Sequence, residues 1–120
     1  MPAEANVYRW SDMPTDRPMP LIERQRIIGD KAMLSRVTLA KGFSVETHRH
    51  ANEQFAVVLS GKIRFRIGEP DDPHAREVTL TSGEVLHLPS DVPHSADALE
   101  DTVVLDIFSP PSATTGVDRK

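Results

Sequence analysis

The chain contains no cysteine, which excludes disulfides and thiolate ligands from its fold and its chemistry. No apolar run reaches the length of a membrane span, and the N-terminus lacks the basic-then-apolar order of a secretion signal, so a cytoplasmic location is expected. Basic residues are the minority. Fourteen Lys and Arg stand against 18 Asp and Glu, the formal net charge is −4, and no Lys/Arg cluster offers a nucleic-acid surface. Sustained helical periodicity with capping residues is missing as well. At 120 residues the chain can build one core and has no room for a second catalytic domain.

What is present is punctuation typical of an all-β fold. Pro14, Pro18 and Pro20 forbid a helix near the start, so residues 1–20 read as an extended arm laid across the body. Short apolar or alternating runs follow at 21–28, 33–39, 55–59, 63–67, 78–80, 85–88 and 103–108. Turn-forming residues separate them, among them Gly29-Asp30, Ser60-Gly61 and Ser82-Gly83. Many short strands at this spacing predict a sandwich or barrel over residues 21–110. Residues 111–120, opening on Pro111-Ser112, are expected to form a mobile tail.

Histidine carries the chemical signal. In an extended strand side chains alternate faces, so His48 and His50 project from one side with Arg49 on the other. Glu53 and Gln54 follow closely, and His94 stands in a second strand-like block downstream. Histidines with a nearby oxygen donor are the usual protein ligands of zinc, copper, iron and nickel. The first block runs from Gly42 through His48 and His50 to Gly61. The second runs from Gly83 through Pro89 and Pro93 to His94. Together they resemble the two sequence blocks of the cupin family, GxxxxxHxH followed by Glu or Gln and then G, and later GxxxxxPxGxxH. That resemblance implies an all-β, double-stranded β-helix (jelly-roll) barrel with one divalent metal ion: zinc, nickel, iron or manganese.

Two departures from the pattern matter. Asp91 replaces the glycine of the second block, which a turn tolerates because Asp accepts left-handed geometry. At the acidic ligand position Gln54 has the family's spacing, whereas Glu53 comes one residue early. Positions 48, 50 and 54 share a face if the strand runs unbroken, which favours a metal set of His48, His50, Gln54 and His94. A bulge at Ala51-Asn52 would substitute Glu53 for Gln54. Three imidazoles and an amide leave a divalent cation its full charge, which favours Lewis acidity and an anionic substrate.

The remaining candidates differ in weight. His74, in a Pro-containing turn, reads as a solvated loop residue, and His87 as either a barrel-lining acid/base or a partly buried, hydrogen-bonded histidine at a strand or subunit surface. Arg64 and Arg66 alternate with Ile63, Phe65 and Ile67, and solvent is the default for that guanidinium face. Asp106 interrupts the apolar run 103–108. A buried carboxylate is costly unless paired, so it is either an outward Asp on an edge strand or a general acid/base facing the pocket. More narrowly, the chain resembles the small cupins of pectin and alginate breakdown that linearise 4,5-unsaturated uronates. By that likeness Asp106 and Phe108 are the catalytic aspartate and aromatic pocket residue, while Ser112 stands where the family has a carboxylate-gripping arginine. The expected function is Lewis-acid-assisted proton transfer on a small, oxygenated, anionic molecule. The alternatives are an iron-dependent dioxygenase and a non-catalytic small-molecule binder. The resemblance also implies a homodimer.

Overall fold

The computed structural model describes residues 4–118. Nine strands form: β1 (Ile22–Ile28), β2 (Met33–Leu39), β3 (Ser44–His48), β4 (Glu53–Ser60), β5 (Lys62–Ile67), β6 (Arg76–Thr81), β7 (Val85–Leu88), β8 (His94–Ala98) and β9 (Thr102–Ser109). They make two antiparallel sheets, one ordered β1-β2-β9-β4-β7 and the other β3-β8-β5-β6. This is the expected all-β double-stranded β-helix.

Alternation decides what each strand buries. In β2, Met33, Ser35, Val37 and Leu39 are buried while Leu34, Arg36 and Thr38 turn outward. The core between the sheets is aliphatic, built from residues such as Val37, Val58 and Val104 on one side and Ile63, Phe65 and Ala96 on the other. Each fully buried side chain of this kind contributes on the order of 1.5–3 kcal/mol. β9 lies between β2 and β4, so Asp106, opposite Ser35 and Ala56, is on the inner face of a central strand. The outward edge-strand alternative for Asp106 is therefore excluded.

Two turns position the site. At Gly61, between β4 and β5, φ is +91° and an added Cβ would stand 2.3 Å from the Asp101 carbonyl oxygen, so only glycine fits. Asp91 has φ +63°, the left-handed geometry anticipated for it, and its N–H donates to the His50 carbonyl at 2.9 Å. That bond ties the turn before β8 to the connection between β3 and β4.

Residues 4–20 run to the free edge of β1, where Asp16 and Arg24 form an antiparallel bridge. Gln25 also holds the Trp10 and Met13 carbonyls. The expectation of a mobile tail is corrected for residues 111–118, which lie across the barrel mouth. Gly116 is buried against His48, and Asp118 is ion-paired with Arg24. A residue composition typical of loops does not reveal such tertiary partners. Residues 119–120 lie outside the described part. No helix among the described residues is long and apolar enough to cross a membrane.

Candidate metal centre

His48 ends β3 and His94 begins β8, directly opposite each other in the antiparallel register. His50 lies in the connection to β4, and Gln54 is the second residue of β4, buried at 6% exposure. The ring centroids of His48 and His94 are 4.3 Å apart, those of His50 and His94 5.2 Å, and those of His48 and His50 5.8 Å. One ring nitrogen from each of the three histidines lies within 4.8 Å of the others. This group could hold a metal ion.

The tautomers follow from the backbone. Nδ1 of His48 donates to the Glu46 carbonyl at 2.8 Å, Nδ1 of His50 to the Asn52 carbonyl at 3.1 Å, and Nδ1 of His94 to the Val92 carbonyl at 2.9 Å. A carbonyl only accepts, so each Nδ1 carries the hydrogen and each Nε2 keeps its lone pair. Burial pushes the His94 pKa down to about 4, and its two histidine neighbours add to the effect. His94 is thus neutral at physiological pH, as a ligand must be.

Gln54 brings an amide oxygen to the edge of the histidine cluster. Its Nε2 donates to Asp106 Oδ1 at 2.9 Å, which turns Oε1 toward His50 Nε2 at 3.2 Å. At that separation a proton on Nε2 or a cation between the two atoms satisfies both lone pairs. The neutral N₃O donor set therefore fits a divalent ion. Glu53 points the other way, accepting from His87 Nε2 at 2.7 Å on the outer face of the sheet, where His87 stacks on Phe55 at 4.6 Å.

Asp106 sits beside this cluster. It is partly buried and lines the same cavity as the three histidines, and burial pushes its carboxyl up to about 7 against the opposing bond from Gln54. Phe108, 4% exposed, meets the His50 ring edge to face at 5.7 Å. Ser112 does not reach the cavity and bonds the Thr114 carbonyl instead. Arg64 faces outward to Glu77 and Asp97, and His74 is exposed.

Sequence reasoning missed Arg24, whose guanidinium lines the cavity at 3% exposure. Ile22 and Arg24 share a parity, but the run Glu23-Arg24-Gln25-Arg26 carries too much charge for an inward arginine to stand out. Asp118, its partner, lay in the segment read as a tail.

A family model described as the cupin domain matches residues 35–108, the span that holds all four candidate ligands. The chain belongs to the cupin family. Among solved structures, this cupin is similar to KdgF from Halomonas sp., with a TM-score of 0.81, 22% identity, and coverage of 92% of this chain and 97% of that one. An RmlC-like cupin from Shewanella frigidimarina gives 0.80 at 19% identity, covering 92% and 95%. Oxalate decarboxylase from Lactobacillus farciminis, as its formate complex, gives 0.79 at 17% identity, covering 95% of this cupin but 36% of the larger chain. At these identities the likeness is one of fold. Among curated proteins none matches.

Proposed function

We propose that this cupin is a mononuclear metal enzyme of the isomerase or lyase type, moving a proton on a small, oxygenated, anionic substrate such as a sugar-derived acid. One observation carries the reading. The Gln54 amide links the histidine cluster to a carboxyl whose pKa is near neutrality, its oxygen facing His50 and its N–H group on Asp106. His48, His50, Gln54 and His94 hold the ion, and a divalent cation bound there supplies Lewis acidity toward a carbonyl or enol oxygen.

The proton is the business of Asp106. Burial raises this carboxyl to about 7 in the metal-free protein, and a divalent cation beside it would shift it back toward the carboxylate, the form that accepts a proton from one atom and returns it to another. Gln54 engages only Oδ1, and among the described residues nothing bonds Oδ2. Phe108 supplies an apolar wall beside His50 and restricts water. Such a transfer conserves electrons and needs no co-reactant, in keeping with opening or tautomerising a ring.

The test is solvent-deuterium incorporation into 4,5-unsaturated galacturonate and related oxyacids, followed by NMR. Asp106→Asn should lower the rate by about 10²-fold or more while retaining the bound metal. Equal rates in wild type and variant would remove Asp106 from the reaction.

We also infer a homodimer. The outer face of the larger sheet carries two apolar rows across neighbouring strands, Leu34-Ile107-Phe55 and Leu105-Val57-Val85, a surface suited to a second copy. Light scattering should give twice the chain mass, and Ile107→Glu should give the monomer.

A further inference from the structure

We propose that Arg24 is a carboxylate-binding site which Asp118 occupies from within the chain, and that an anionic substrate enters by taking Asp118's place. This rests on the anionic-substrate reading above and names the residue that would recognise the charge.

The guanidinium presents two edges, and each holds one carboxylate. Asp16 takes the Nε/Nη2 edge at 3.0 and 2.6 Å, and Asp118 takes the Nη1/Nη2 edge at 2.8 and 2.8 Å. The two partners differ in how they are held. Asp16 exchanges two backbone hydrogen bonds with Arg24 itself, both 2.9 Å, and so belongs to the sheet edge. Asp118 belongs to a three-residue turn whose own bonds are local, from Asp118 N–H to the Thr115 carbonyl and from Thr115 N–H to Asp118 Oδ2. Arg26, 3.8 Å from Asp16, balances the charge of the second carboxylate. Exchanging Asp118 for a substrate carboxylate preserves both the charge count and the fork geometry.

Space points the same way. With the turn in place, the cavity that joins Arg24, Asp106 and the histidines measures about 70 Å³, far below the roughly 300 Å³ at which small-molecule sites begin. A second cleft of about 310 Å³ lies beyond the turn, and it too is bounded by His48, His50, Thr115 and Gly116. The turn is the wall between them. Displacing it joins the two volumes and exposes one edge of Arg24 to the combined space. Among the described residues Arg24 is the one arginine lining the inner cavity.

The experiment uses acetate as the probe and thermal unfolding as the readout, on the full chain as purified. In Asp118→Ala, acetate should raise the melting temperature saturably, by roughly 2–5 °C at about 100 mM relative to sodium chloride of equal ionic strength. Wild type should stay flat, since its site is filled. Arg24→Gln/Asp118→Ala should lose the response, and Arg24→Lys/Asp118→Ala should weaken it by removing the fork. Asp118→Asn replaces the alanine variant if the latter fails to fold. D-galacturonate should likewise bind Asp118→Ala at least tenfold more tightly than wild type, with D-galactose unaffected. An Asp118→Ala protein that responds to acetate no more than wild type, or equally with and without Arg24, overturns the proposal. The acetate response requires no turnover, so its failure is separable from failure of the proton-transfer reading.

Discussion

Gly116→Ala is the smallest change that should open the barrel mouth. An added Cβ would stand 2.0 Å from His48 Nε2 and 2.2 Å from two ring carbons, distances no real packing tolerates. The His48 ring cannot swing aside cheaply. Its Nδ1 is bonded to the Glu46 carbonyl, and its ring centroid lies 4.3 Å from that of His94 in a T-shaped contact. The turn must lift instead. Lifting it breaks the two 2.8 Å bonds between Asp118 and Arg24, and it removes Val117 from its contact with the core. A hydrogen-bonded charged pair of this kind contributes about 1.5–3 kcal/mol, and Arg24 keeps Asp16 as partial compensation, so the variant should lose about 2–3 kcal/mol. Urea denaturation should show that loss in the midpoint with little change in slope. Hydrogen exchange over residues 113–118 should accelerate by one to two orders of magnitude, as expected when a local closed state loses that much. Wild-type stability together with wild-type exchange in Gly116→Ala would show that the turn does not rest on His48.

Two further predictions concern ligands and acid. Gln54→Ala should weaken metal binding by about 10–100-fold, whereas Glu53→Ala, which removes only the outward bond to His87, should leave it within about twofold; competition with a chelator ranks them, and the reverse order would contradict the assignment. The Arg24 bond holds Asp16 below the usual carboxylate range, and for Asp118 burial pushes upward but the Arg24 and Thr115 bonds and the charges of Arg24 and Arg26 together hold it lower. Carboxylates depressed on folding contribute stability that is present above their unfolded value, near 3.8, and is lost as pH falls through the folded value. Unfolding midpoints should therefore drop below about pH 4, and Asp118→Asn should shallow that acid limb; an identical limb in the variant would remove Asp118 from it.

Much of the barrel was legible because its strands obey alternation. β2 buries every second residue, β9 does the same except at the half-buried Asp106, and the run from 103 to 108 announced itself by apolar content. β8 did not, because His94-Ser95-Ala96-Asp97-Ala98 buries two alanines and a histidine, too little apolar bulk to mark a strand. The histidine cluster was visible because its residues lie in two short blocks of fixed spacing. The parity reading of Gln54 assumes one unbroken strand through 48–54; instead β3 ends at His48 and β4 begins at Glu53 in the other sheet, so the inward side of Gln54 is set by alternation within β4. Arg24, Gly116 and Asp118 were hidden for a different reason. Their roles arise from contacts between positions 94 residues apart, or 68 in the case of His48 and Gly116, which no local pattern records.

The central claim is that His48, His50, Gln54 and His94 share one divalent ion. Elemental analysis of protein purified without added metal tests it most directly. The account predicts close to one equivalent per chain in wild type and in His74→Ala, and near zero in a His48→Ala/His50→Ala double variant whose circular dichroism still reports the barrel. Near-stoichiometric metal in that folded double variant would contradict it.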